Sequence, residues 1–147
     1  MISAEEFLTR EERKQVARAI AAAEDRTSAE IRVHLEDHIE EDVLDHAAFI
    51  FEELGMTNTR DRNGILIYIC VADRQMAVLG DKGIIEHVPS GFWEHVIEVM
   101  RDHFSRQQHA EGIEKAVEMV GAIAAEWFPY KRNDRDELSN EVSFSRR

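Results

Sequence analysis

The sequence predicts a layered α/β domain, a small mixed sheet flanked by helices, on the strength of three observations. Ile65 to Val71 is a continuous apolar run rich in β-branched side chains, the pattern of a strand covered on both faces. Asp73 and Arg74 leave so little room behind it that Met76-Ala77-Val78-Leu79 folds back antiparallel. Ahead of this hairpin, a strand-like segment and a helix-like segment complete a strand, helix, strand unit. Such a unit is normally a right-handed crossover between parallel strands.

Each element has its own local reason. Ser3-x-x-Glu6 and Thr9-x-x-Glu12 are capping-box patterns, and Val16, Ala19, Ile20 and Ala23 repeat at helical spacing up to about Glu24. Thr27 and Ser28 break that helix. Ile31-Arg32-Val33-His34-Leu35 alternates apolar with polar, which predicts a strand with one covered face, nearer an edge than Ile65 to Val71. Glu40 to Leu54 returns to helical spacing and Gly55 stops it. Ser90 is placed to cap a helix with Trp93, Val96, Ile97, Met100 and Phe104 on its apolar face. A last helix runs through Ile113, Val117, Val120, Ala124 and Trp127 until Pro129. Both tryptophans are expected in the core. Residues 1–130 thus read as a single domain and 131–147 as a polar tail, draped or disordered, with Leu138, Val142 and Phe144 as its apolar anchors.

Composition narrows the function classes. A chain of 147 residues, 44% hydrophobic, is one domain's worth with enough apolar material for a core. Its formal net charge of -12 disfavours nucleic acid and anionic membrane surfaces, and favours cations or basic protein partners. Most of those acids are expected on solvated helix faces. The single cysteine, Cys70, falls inside the most buried-looking strand, so neither a disulfide framework nor an exposed nucleophile is expected. Without an apolar leader or a run of membrane-spanning length, a soluble, cytoplasmic protein is expected.

Topology then sorts the polar residues onto two rims of the sheet. If the Ile31 and Ile65 strands run parallel, their starts share one rim with the end of the return strand. Ser28, Glu30, Arg62, Asn63 and Asp81 converge there, beside Gly64, Gly80 and Gly83, whose backbones could approach an ion or turn left-handed. Carboxylates, an amide and a hydroxyl are the oxygen ligands that calcium or magnesium prefers. The plainer reading pairs Arg62 with Asp81 or Glu30 and leaves the glycines to make turns. The opposite rim gathers Glu36, Asp37, His38, Glu40, Glu41 and Asp42 around the Asp73-Arg74 turn, where consecutive acids ahead of a helix complement its dipole. Ligands of open parallel sheets usually sit at that carboxyl end.

Several stretches in order along the chain carry a family resemblance. They are Ala23-Glu24, Thr27-Ser28-Ala29-Glu30-Ile31-Arg32-Val33, Leu54-Gly55-Met56 with Thr59, Arg62-Asn63-Gly64-Ile65-Leu66-Ile67-Tyr68, Asp73-Arg74, Gly80-Asp81-Lys82-Gly83-Ile84, Phe92-Trp93, Phe104, Glu111-Gly112-Ile113 and Phe128-Pro129. Together they resemble the TPM domain family in its short, stand-alone, soluble form. The pattern departs at Ala29, where the family often has Gly, and at Asp136-Glu137-Leu138-Ser139, where it usually reads Asn-Glu-Leu-Pro. The resemblance implies a three-layer α/β/α sandwich, divalent metal binding at an acidic site in some members, and roles in repair or assembly of membrane protein complexes in others. A weak acid-phosphatase activity is also associated with the family. Glu30, Asn63 and Asp81 match its recurrent polar positions and are the expected metal ligands.

Three functions follow as expectations. The first is a non-catalytic module holding calcium or magnesium, with a role in assembling or maintaining protein complexes. The second is a metal-dependent phosphatase, with Asp81 or Glu30 as base and Arg62 clamping the phosphate, although no Cys-centred or Lys-Ser/Thr phosphate loop is present. The third is a protein-interaction adaptor with Trp93 and Trp127 as anchors. The seven histidines lack metal-site spacing and read as surface residues, and Asp134-x-Asp136-Glu137 fails the EF-hand pattern and reads as a solvated turn.

Overall fold

A computed structural model describes residues 2–130 and 140–145. Two capped helices open it, the single turn α1 (Ala4–Phe7) and the longer α2 (Arg10–Glu24), followed by β1 (Ile31–Glu36), α3 (Val43–Glu53) and the hairpin β2 (Ile65–Cys70) and β3 (Gln75–Gly80). Then come α4 (Lys82–Ile85), α5 (Phe92–Ser105), α6 (His109–Trp127) and a final strand β4 (Ser143–Ser145). Both predicted capping boxes form, but each starts its own helix, because Leu8 adopts an extended conformation between them. Asp42 caps α3 by accepting from the backbone N–H groups of Leu44 and Asp45, and Gly55 ends it in the left-handed region at φ 71°. Gly91, rather than Ser90, precedes α5, at φ 83° and without a side-chain cap.

The sheet has the order β3-β2-β1-β4. β1 and β2 are parallel with Ile31 opposite Ile65, as the crossover requires, and β3 returns antiparallel with Gly80 opposite Ile65. Asp73 and Arg74 close the hairpin, Arg74 adopting φ 52°. The tail contributes β4, parallel to β1 with His34 opposite Ser143 and Glu36 opposite Ser145. β1 is therefore an inner strand, contrary to the expectation of an edge, and five of its six residues are buried. Residues 131–139 of the predicted tail, including the anchor Leu138 and the acidic turn at Asp134 to Glu137, lie outside the described residues.

Strand alternation sends side chains to two unequal cores. Ile31, Val33, Leu35, Ile65, Ile67, Ile69, Met76 and Val78 pack against Val16 and Ile20 of α2, Val96 and Met100 of α5, and Ile113, Val117 and Val120 of α6. On the other face Leu66, Tyr68, Cys70 and Ala77 meet Ala47, Ile50 and Phe51 of α3 and Met56. Helices thus lie on both sides of the sheet, an α/β sandwich. Trp93 is half-buried against the larger core, whereas Trp127 is 52% exposed, its indole stacked on the His87 ring with centroids 4.3 Å apart. The expectation that Trp127 belongs to the core fails: it is the last residue of α6 and stacks on His87 at the surface. No described helix is long and apolar enough to cross a membrane.

Candidate functional site

The backbone ladder builds the amino-end rim. The N–H of Ile65 donates to the carbonyl of Glu30 at 2.7 Å, and the N–H of Asp81 donates to the carbonyl of Gly64 at 2.9 Å. Glu30, Asn63 and Asp81 consequently leave three neighbouring strands at the same end of the sheet, and all three are buried, at 3%, 1% and 7% exposure. The segment 59–64 is held tightly. The Asn63 N–H donates to Thr59 Oγ1 at 3.3 Å, and the Gly83 N–H donates to the Arg62 carbonyl at 2.8 Å. Gly83 is needed there because a Cβ would come within 2.2 Å of the Asp61 carbonyl oxygen and 2.6 Å of that of Arg62. Gly64 similarly sits against the carbonyl of Met56, 2.8 Å from where a Cβ would stand. Neither glycine is left-handed; both allow backbone to meet backbone.

Of the readings weighed for Asp81, the ion pair with Arg62 is formed. Arg62 Nε donates to Oδ2 at 2.6 Å and Nη2 to Oδ1 at 3.0 Å, a two-point grip, and Oδ1 also accepts from the Lys82 N–H at 2.8 Å to cap α4. These hydrogen bonds, followed by the charge of Asp81, raise the Arg62 pKa against the opposing effect of desolvation. Arg62 itself has φ 50° and a side chain 36% exposed. Asn63 stands differently. The Nδ2 end of its buried amide meets no hydrogen-bond acceptor among the described residues, and neither does the buried Ser28 Oγ find a partner there.

The donor set of two carboxylates and an amide suits a hard cation, and rotation of the Asn63 amide would present its carbonyl oxygen in place of the unmatched amine. Among the described residues, no group of three or more histidine, cysteine, aspartate or glutamate side chains is placed to hold a metal ion. A ligand set here therefore needs the amide, and it needs Asp81 released from Arg62.

At the carboxyl-end rim, Asp73 gathers the chain's own donors. Its Oδ2 accepts from the Ile39 N–H at 3.0 Å and from Cys70 Sγ at 2.9 Å, and His38 Nδ1 lies 3.0 Å away. The Cys70 bond, then the Ile39 and His38 contacts, hold the Asp73 carboxyl below the usual range, while the hydrogen bond to Asp73 lifts His38. Burial first, then the Asp73 contact, pushes the Cys70 thiol up to about 12, so it is an inert thiol and not a nucleophile.

A third polar group was not foreseen as a cluster. His34 and Glu36 point to the α3 side of the sheet and are buried, as is His46. His34 Nδ1 lies 2.7 Å from Ser143 Oγ and Nε2 lies 2.9 Å from Ser145 Oγ, so the tail strand is bolted to β1 through one imidazole. His46 Nε2 is 3.1 Å from Glu36 Oε1, and its Nδ1 meets Glu41 Oε1. The surface expectation fails for His34 and His46. The available signal was parity, since His34 and Glu36 share a strand face whose neighbour on β2, Tyr68, is wholly buried.

Comparisons with known proteins agree with this architecture. The NMR structure of BA42 protein from the psychrophilic bacterium Bizionia argentinensis superimposes with a TM-score of 0.89 at 42% identity, over 99% of this chain and 100% of that one. The solution NMR structure of the N-terminal domain of a P. gingivalis protein shares the fold, with a TM-score of 0.68 at 19% identity over 83% of this chain and 79% of that one. No match was found among curated proteins. The TPM domain model matches residues 1–123. With most of its length matched in this way, the chain belongs to the TPM domain family.

Proposed function

We propose that this domain binds a hard divalent cation, calcium or magnesium, at the amino-end rim through Glu30, Asn63 and Asp81, as a non-catalytic module serving the assembly or maintenance of protein complexes. The observation that carries the reading is the Asn63 amide, 1% exposed and unmatched at its Nδ2 end among the described residues, set between two strands that end in carboxylates. Burying a polar group without a partner costs roughly 1–3 kcal/mol, and turning the amide so that its carbonyl oxygen faces an ion, where Nδ2 now meets no acceptor among the described residues, offsets that cost. When bound, the ion would supply fixed positive charge that draws the β1, β2 and β3 ends together. The net charge of -12 supports a cation or a basic protein as partner over nucleic acid, and the buried single thiol suits a cytoplasmic setting.

The phosphatase alternative asks Arg62 to clamp a phosphate. Its guanidinium instead grips Asp81, one of that reading's two candidate bases, so the clamp and the base are tied to each other.

Thermal unfolding with increasing calcium or magnesium tests the proposal. A site filled at a hundred times its dissociation constant adds about 2.7 kcal/mol of stability. Asp81→Asn and Glu30→Gln are expected to abolish the ion-dependent shift, and a shift that survives Asp81→Asn would place the ion elsewhere. Phosphate-ester turnover by homogeneous protein, lost in both variants, would instead favour the enzyme.

A further inference from the structure

We infer that Arg62 is a built-in competitor of the cation, a tethered counter-ion that occupies Asp81 until a divalent ion displaces it; this rests on the rim being the cation site proposed above. Both carboxylate oxygens of Asp81 accept from the guanidinium, at 2.6 and 3.0 Å, and Oδ1 is shared further with the Lys82 N–H. A hard cation requires at least one of those oxygens, so ion and guanidinium exclude one another.

The geometry lets one partner leave and not the other. Asp81 is 7% exposed and fixed as the cap of α4, whereas the Arg62 side chain is 36% exposed and reaches in from the surface. Its backbone stays anchored, its N–H donating to the Thr59 carbonyl at 3.3 Å and its carbonyl accepting from Gly83 at 2.8 Å. Release therefore needs only side-chain rotation into water.

Such a device sets the affinity of the rim by the fraction of time Asp81 is ungripped. Apparent affinity falls in proportion to that fraction, so a pair closed 90 to 99% of the time weakens binding by roughly 10- to 100-fold. It also keeps a buried carboxylate neutralised while no ion is present.

The test is calorimetric titration of calcium chloride and magnesium chloride into wild type, Arg62→Lys, Arg62→Gln and Asp81→Asn, each checked for native amide spectra. Binding is expected to tighten from wild type through Arg62→Lys to Arg62→Gln, because lysine offers a point charge without the two-point fork. The Arg62 Nε–H resonance of the wild type is expected to move towards its free-arginine position as the ion is added. If the ions bind in an Asp81-dependent way but Arg62→Gln binds no more tightly than wild type, the competitor role is overturned while the cation site stands. If no variant, Arg62→Gln included, binds either ion through Asp81, both are overturned.

Discussion

The two rims of the sheet are both acidic, yet they treat their central carboxylate in opposite ways. Asp73 is held chiefly by the Ile39 backbone N–H and the buried Cys70 thiol, with the half-exposed His38 ring as its third partner. Asp81 is also fully engaged, but its main partner is an arginine that enters from solvent. Each rim even carries a left-handed arginine, Arg62 at φ 50° and Arg74 at φ 52°, and of the two, among the described residues, Arg62 alone grips a carboxylate at two points. Counting acids does not separate a binding rim from a structural one. What separates them is the main partner: groups fixed in the fold at Asp73, a side chain that can rotate away at Asp81.

The heaviest blow to the amino-end rim is expected from Gly83→Ala, since the added Cβ would meet two backbone carbonyl oxygens that cannot yield as a side chain does. Overpacking of this kind costs about 1–3 kcal/mol, read as a fall in denaturant midpoint at unchanged slope. A midpoint equal to wild type would show that the 61–62 segment is loose, and the preformed rim would be lost from the argument.

Next in size is a crossed comparison. Asp73→Asn is expected to lower stability while leaving any calcium- or magnesium-induced thermal shift intact, and Asp81→Asn is expected to remove that shift. An ion response that follows Asp73 instead would exchange the roles of the two rims.

The carboxyl-end rim also has a pH signature. His38 is raised by its bond to Asp73, so its contribution to stability is complete below the ordinary histidine value of about 6.5 and fades as pH rises through the folded-state value. Asp73 is lowered, so its contribution is complete above the ordinary aspartate value of about 3.9 and fades as pH falls through the folded-state value. The pair therefore supports the fold most fully between those ordinary values. Titrating the His38 ring by NMR in wild type and Asp73→Asn checks this, the midpoint being expected to drop in the variant.

Smallest is Arg74→Gly. Glycine relieves the left-handed strain of an L-residue, and a gain below about 1 kcal/mol in thermal or denaturant stability is expected. A loss would mean that the Arg74 side chain has a structural task of its own.

Much of the sheet was legible because its signals are local. A seven-residue apolar run, a four-residue break centred on Asp73 and Arg74 and a second run define the hairpin, and helical spacing between two strands defines the crossover. Their register brings two strand starts and one strand end to the same rim, which is how Glu30, Asn63 and Asp81 could be grouped from sequence. The status of β1 was not legible, because its second neighbour is Ser143-Phe144-Ser145, a three-residue strand with no apolar run to announce it. The burial of His34 and His46 follows from that same pairing and from α3, not from their own neighbours in sequence. Alternation gave the right face for Ile31, Val33 and Leu35 but undervalued the opposite one, where Tyr68 makes a second core. At the rim, pattern could propose the Arg62 to Asp81 pair, but only coordinates reveal the unmatched Asn63 amide.

The short strand β4 has a consequence for how this chain can be handled. It shields one margin of β1 from His34 to Glu36 with only three residues, so trimming the polypeptide ahead of Val142 would bare unsatisfied main-chain amides and carbonyls and take the Ser143 and Ser145 hydroxyls away from the His34 ring. A fragment shortened in that way invites sheet extension by a neighbouring molecule, and its clumping would reflect the missing protector rather than any native assembly.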